Sequence, residues 1–300
     1  MNKVYLLLLF PIILFSDITG KIVIEAKSSC FGSNVDGSCE VSGVDITEDK
    51  LLFINDKRVD GYSSLFSTDR AFINHKYIYS KEIDKSRKFE DMTIYRDQLI
   101  LITSFDRDKK SYNRIVGYDF KREKSYLIAD KSIKKRLRDL IGHDYFKIEG
   151  IEAINSQIFI GIREVGKNYK NFDYTIKILS IGFGEDENGE ILLNGEMRLY
   201  KEFQVANLGL SSLKYDYHRD TLYILTSLEL KGKMEGYIFY IEHDQVKMLN
   251  DKFHIPIRLR SKAEGITMID ENHLLIVYDD DRETKNREKN EFKYSVIRLH

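Results

Sequence analysis

Five strand-like segments of the chain open on a residue able to bind or move charge: Ser42, Glu90, Glu149, Ser212 and Glu264. Three carboxylates and two hydroxyls form an all-oxygen set, which suits a hard divalent cation such as Ca²⁺ far better than zinc. Each segment ends on a second group of polar residues: Asp56 with Lys57 and Arg58, Ser104, Arg163 with Glu164, Ser227, and Asp279 with Asp280. A cluster of acids and bases at one mouth is where a charged small molecule binds. The seven histidines are scattered without ligand spacing. No G-x-S-x-G elbow, H-E-x-x-H helix, Walker loop or G-x-G-x-x-G turn occurs.

These residues must be positioned by a repeat. The five segments read SGVDITEDKLLFIND (42–56), EDMTIYRDQLILITS (90–104), EGIEAINSQIFIGIR (149–163), SLKYDYHRDTLYILTS (212–227) and EGITMIDENHLLIVYD (264–279). Each is an apolar strand, a turn and a second apolar strand. Further strand-like stretches follow, among them 114–120, 125–129, 174–181 and 236–242. Antiparallel strands repeating roughly every 50 residues are the signature of a β-propeller. The fold class expected is all-β, a propeller of five blades, with six as the alternative. The last repeat carries a third strand, 292–299, and the chain offers KIVIEA (21–26) to complete that blade. Closing the ring in this way removes open sheet edges. Residues 131–142 show helical spacing of Ile133, Leu137, Leu140 and Ile141, and 184–200 read as an extra hairpin turning at Asn188-Gly189.

In such a ring the first strands line the channel, so Ser42, Glu90, Glu149, Ser212 and Glu264 share one level. Three carboxylates there repel by about 4 kcal/mol per pair at ~4 Å with an effective dielectric of ~20. Protonation, basic neighbours or a cation must offset this, and Ca²⁺ is the expectation.

Composition narrows the function. The 300 residues carry 47 Lys plus Arg against 48 Asp plus Glu, a formal net charge of −1, which argues against nucleic acid as partner. Nineteen Tyr and 17 Phe exclude disorder, while the lack of Trp leaves Tyr as the source of any flat sugar platform. Lys3, the apolar run Val4 to Phe15 and a polar stretch describe a secretory signal peptide over residues 1–20, followed by one domain, 21–300. Export to a secreted or periplasmic location makes Cys30 and Cys39, which bracket a turn-rich spacer, a disulfide stapling a hairpin. The mature chain is expected to be monomeric, with no membrane-crossing segment.

The motifs KIEGIEAINSQIFIGIRE (147–164) and KAEGITMIDENHLLIVYDDD (262–281) resemble the E-G repeats of bacterial phytase-like and esterase-like propellers. More distantly, the order Ser, Glu, Glu, Ser, Glu is similar to that of calcium-activated nucleotidases (apyrases). That resemblance implies Ca²⁺ held by Ser42, Glu90, Glu149, Ser212 and Glu264, and hydrolysis of nucleoside phosphates. The Trp and the paired arginines of that family have no counterpart here.

Two readings follow. In one, an exported propeller with channel Ca²⁺ binds a phosphorylated or otherwise anionic small molecule and hydrolyses it. Asp56 or Asp279 orients water, Arg163 and Lys57 hold substrate charge, and Ser104 and Ser227 complete the substrate site. In the other, the propeller binds without catalysis.

Overall fold

The computed structural model describes residues 17–30, 39–56, 61–230, 233–279 and 291–300. The signal-like segment 1–16, Lys57 and Asp280 lie outside them. Among the described residues no helix is long and apolar enough to cross a membrane.

Among the described residues, twenty strands form five four-stranded antiparallel sheets. Blade one holds β2 (Val41–Ile46), β3 (Lys50–Asn55), β4 (Leu65–Asp69) and β5 (Lys76–Tyr77). Blade two holds β6 (Phe89–Tyr95), β7 (Gln98–Thr103), β8 (Ile115–Asp119) and β9 (Lys124–Ala129). Blade three holds β10 (Tyr145–Ile154), β11 (Gln157–Asn168), β12 (Asn171–Glu185) and β13 (Ile191–Phe203). Blade four holds β14 (Gly209–Asp216), β15 (Thr221–Leu230), β16 (Lys233–Glu242) and β17 (Gln245–Met248). In blade five, β18 (Ala263–Asp270), β19 (His273–Tyr278) and β20 (Glu291–Leu299) are joined by β1 (Gly20–Ser29). The N-terminal strand thus pairs with the C-terminal one, from Gly20 opposite Leu299 to Ser29 opposite Glu291.

The inner strands β2, β6, β10, β14 and β18 are neighbours in that order, and β18 returns to β2. They are apolar and buried over most of their length, because each sheet packs face to face on the next. The apolar core accordingly divides into five packets, one at every blade interface. Phe53 and Phe66 meet Leu275 and Phe292 between blades one and five, and Ile100 and Ile102 meet Ile151 and Ile160 between blades two and three. A short helix, α1 (Lys81–Lys85), a rim helix, α2 (Lys134–Ile141), and two single 3-10 turns, Lys110–Tyr112 and Lys131–Ile133, complete the described elements. The rim helix buries Leu137 and Ile141 as its spacing predicts.

Two expectations change in detail. Cys30 and Cys39 do form a disulfide, but the strands on either side belong to different sheets. It joins the outer strand of blade five to the inner strand of blade one rather than stapling a hairpin. The segment 184–200 is not an extra hairpin either. It turns at Asp186–Gly189 and forms the third and fourth strands of blade three.

The E-G pairs have a steric cause. In every inner strand the pairing register slips at the equivalent position: between Val41 and Gly43, Phe89 and Asp91, Ile148 and Gly150, Leu210 and Ser212, and Ala263 and Gly265; β10 slips again between Lys147 and Ile148 and β18 between Met268 and Asp270. The bulged residue is re-aimed, and the residue after it sits where adjacent blades touch. A Cβ on Gly265 would lie 2.9 Å from Val277 and 3.1 Å from the backbone of both Gly43 and Val44. Gly265→Ala should therefore push blades five and one apart and lower the unfolding free energy by about 1–3 kcal/mol. Urea denaturation reads this directly, and an unchanged midpoint would refute the close-approach account.

Candidate functional site

The bulges aim Ser42, Glu90, Glu149, Ser211 and Glu264 into one level of the channel. Blade four contributes Ser211 at this level and not Ser212, because its bulge falls one residue earlier than the apolar pattern suggests. Ser212 lies one position further along, where its hydroxyl donates to Asp91 Oδ2 at 2.9 Å. Ser42 donates to the carbonyls of Phe89 (2.8 Å) and Ile54 (3.3 Å). Both serines called as metal ligands are thus committed to bonds between strands.

The three glutamates are almost wholly buried, and basic neighbours offset their repulsion. Lys88, Lys147 and Lys262 each stand two residues before a ring glutamate, a K-x-E pattern present in three of the repeats. Lys88 bonds Asp56 and lies 3.3 Å from Glu90. Lys147 bonds Glu149 and lies 3.5 Å from Glu90. Lys262 pairs with Glu264 and lies 3.9 Å from Glu229. Arg163 closes the circuit, 3.4 Å from Glu149 and 3.8 Å from Glu229. Acid and base alternate around the ring from Asp56 to Glu264.

The carboxyls respond differently. Burial raises Glu90 to about 8 and Glu264 to about 7, against the lowering effect of their lysines. Burial also works against Glu149 ionising, but Arg163, Lys147 and Lys262 together hold it well below the usual carboxylate range. All three lysines titrate above their ordinary value despite burial, because of the glutamates they face.

This donor set does not fit a resident calcium ion. Ca²⁺ takes six to eight oxygens, whereas each ring carboxylate already faces an ammonium or guanidinium that repels a divalent cation. Among the described residues no group of three or more His, Cys, Asp or Glu side chains is arranged to hold a metal.

Above the ring opens a cavity of about 390 Å³. Lys88, Lys147 and Lys262 line it, while the glutamates beneath them do not. Its walls carry Asp56, Asp279, Glu229, Arg107 and the aromatic rings of Tyr145, Tyr169, Phe172 and Tyr174. The second-strand ends do converge here, but not all of them face the opening. Asp56 and Asp279 line it. Arg163 is 1% exposed; its guanidinium bonds Ser211 (3.0 Å) and Ser227 (2.8 Å) and lies over the Tyr174 ring. Ser227 is fully buried by those bonds, and the buried Ser104 donates to Asp106 at 2.6 Å. Arg163, Ser104 and Ser227 are therefore supports of the mouth.

A deeper tier lies three residues beyond the ring: Asp45, Thr93, Glu152, Lys214 and Thr267. Lys214 bonds both oxygens of Asp45 at 2.8 and 2.9 Å and lies 3.7 Å from Glu152. Thr267 donates to Asp45 at 2.8 Å. With one lysine held by Asp45, burial raises Glu152 to about 8 and Asp91 well above its ordinary value. An acid whose folded pKa is raised stabilises the fold fully below its unfolded value near ~4.3, and this is lost as pH rises through the folded value. Stability should fall between pH 5 and 9, by up to about 1.4 kcal/mol per pH unit for each such group. Glu152→Gln should gain on the native protein as pH rises from 6 to 9 in urea titrations. A difference constant with pH would refute a neutral Glu152.

Comparison with known proteins adds fold and family. A PQQ-bound aldose sugar dehydrogenase from Streptomyces coelicolor aligns with TM-score 0.50 at 10% identity, over 95% of this chain and 99% of that one. An α-L-arabinofuranosidase from Podospora anserina, solved with cellotriose, aligns with TM-score 0.51 at 8% identity, over 91% and 94%. At these identities the likeness is one of fold. No curated protein matches the sequence. Residues 121–294, more than half of the chain, match the family described as protein of unknown function (DUF3616), and the chain belongs to that family.

Proposed function

We propose that the protein is a binding propeller whose channel mouth takes a small molecule through an anionic group. One observation carries the reading: Lys88, Lys147 and Lys262 converge on one cavity while the ring glutamates they pair with, Glu90, Glu149 and Glu264, stay out of its lining. Burial favours the neutral form of Glu90 and Glu264, so the floor is more cationic than a count of side chains gives. The volume suits a compact ligand, and the mixture of a few polar groups with aromatic walls is that of a small-molecule site.

The non-catalytic reading is preferred to the Ca²⁺-dependent hydrolase. Hydrolysis would need Arg163 to hold substrate charge, and its guanidinium is spent on Glu149, Ser211 and Ser227. It would also need a metal among carboxylates already paired with lysines. A location outside the cytoplasm belongs to the proposal, supported by the Cys30–Cys39 disulfide and the apolar Val4 to Phe15 run.

Two measurements test this. Chelation by EDTA should leave the melting temperature unchanged, since the ring is neutralised from within; a rise on adding Ca²⁺ would restore the calcium site. Inorganic phosphate and small carboxylates should raise the melting temperature through binding to the native state. Lys88→Met should weaken that response, and equal stabilisation of both proteins would remove the lysine floor from the reading.

A further inference from the structure

Blade three differs from the others at the mouth. Its inner strand β10 starts at Tyr145, four residues before the ring position Glu149, whereas β2, β6 and β18 start one residue before theirs. The paired strands continue upward: Tyr145 faces Gly166 and Asn168 faces Asn171 at the tip of the β11–β12 hairpin. This extension carries all four aromatic residues of the cavity. The rings of Tyr145 and Phe172 are 6.1 Å apart, and those of Phe172 and Tyr174 meet edge to face at 5.4 Å. Tyr145 is fixed by donating to Glu164 at 2.6 Å, and Tyr174 by Arg163 below it. Tyr169, at the hairpin tip, is 66% exposed.

The cavity therefore has three chemically distinct surfaces. Its floor is three ammonium groups. One side is a rigid aromatic wall from blade three. The rest of the described rim is acidic apart from Arg107: Glu40 and Asp56 from blade one, Asp106 from blade two, Glu229 from blade four and Asp279 from blade five. Asp56, which lines the cavity, keeps a buried carboxylate oxygen, Oδ1, without a hydrogen-bond partner, so the site offers an acceptor for a hydroxyl donor beside the lysines.

Resting on the binding reading above, we propose that the ligand is an anionic sugar: a mono- or disaccharide carrying a carboxylate or phosphate. Each surface matches one part of such a molecule. The anionic substituent meets Lys88, Lys147 and Lys262. Ring hydroxyls donate to the carboxylates of the rim, which a simple inorganic anion cannot use. The C–H face of the sugar ring packs on Phe172 and the tyrosines. A neutral sugar forfeits the floor, and inorganic phosphate forfeits both wall and rim.

Calorimetric titration of the full chain with D-glucuronate, D-galacturonate, D-galactose, inorganic phosphate and L-phenylalanine separates these cases. At least one uronate should bind about tenfold tighter than either galactose or phosphate. The double variant Tyr169→Ala, Phe172→Ala should bring the uronate down to the level of phosphate and leave phosphate binding unchanged. Because Tyr169 is exposed and Phe172 lies near the hairpin tip, circular dichroism and an unchanged phosphate affinity verify the fold. Phosphate binding as tightly as either uronate would overturn the sugar assignment and keep the anion site. Tighter binding of L-phenylalanine would show the rim pairing with an ammonium, which also overturns it. Failure of every anion to bind would overturn the lysine floor, and the sugar proposal with it.

Discussion

Charge taken out of water must be paired, and the channel of this propeller is organised around that requirement. Desolvation of an ion costs several kcal/mol even after relaxation, and three glutamates at one level would add mutual repulsion. The chain meets this with lysines two residues upstream of each glutamate and with Arg163 between Glu149 and Glu229. Remove any member and each of its neighbours loses a partner for a charge held out of water. The ring is thus one interdependent circuit.

The circuit needs a particular backbone. An unbulged strand alternates sides, so Lys and Glu two residues apart would share one face about 6.6 Å apart along the strand. The bulge at each ring position breaks the alternation, turning the glutamate to the axis beneath its own lysine and leaving the next residue at the contact between blades. Glycine there lets strands approach, and at blade two Asp91 replaces it. Its carboxylate accepts from Ile151 N at 3.1 Å and Ser212 at 2.9 Å, linking blade two to blades three and four. Closure by β1 and β20 then fixes the circumference on which all five positions depend.

Five blades, ring closure, the rim helix and the channel glutamates were legible because each has a local signal. Strand pairs recur at a regular spacing, and E-G marks a bulge followed by a close contact. What the sequence hid has equally specific causes. In blade four the tandem Ser211-Ser212 offers two candidates for one position, and only the register of pairing decides between them. Arg163 ends a strand as the other candidates do, yet it folds inward because Ser211, Ser227 and Tyr174 enclose it. The lysines were visible as K-x-E in three repeats, but nothing in the spacing states that they stand above the glutamates. In the binding reading proposed above, their position over the carboxylates exchanges a metal centre for a cationic floor.

That exchange bears on what the mouth can do. A divalent cation polarises a bound oxygen and lowers the pKa of its water; an ammonium already paired with a carboxylate does neither. It can, however, share its remaining N–H donors with a ligand anion at little cost in reorganisation, because the glutamate beneath holds it in place. Rigid pairing of this kind lowers the entropy lost on binding. Two aromatic side chains of blade three are fixed by charged neighbours as well, Tyr145 by Glu164 and Tyr174 by Arg163. Preorganisation of the floor and of Tyr145 and Tyr174 in the wall therefore rests on the paired charges of the ring and its mouth, which supports the binding role proposed above.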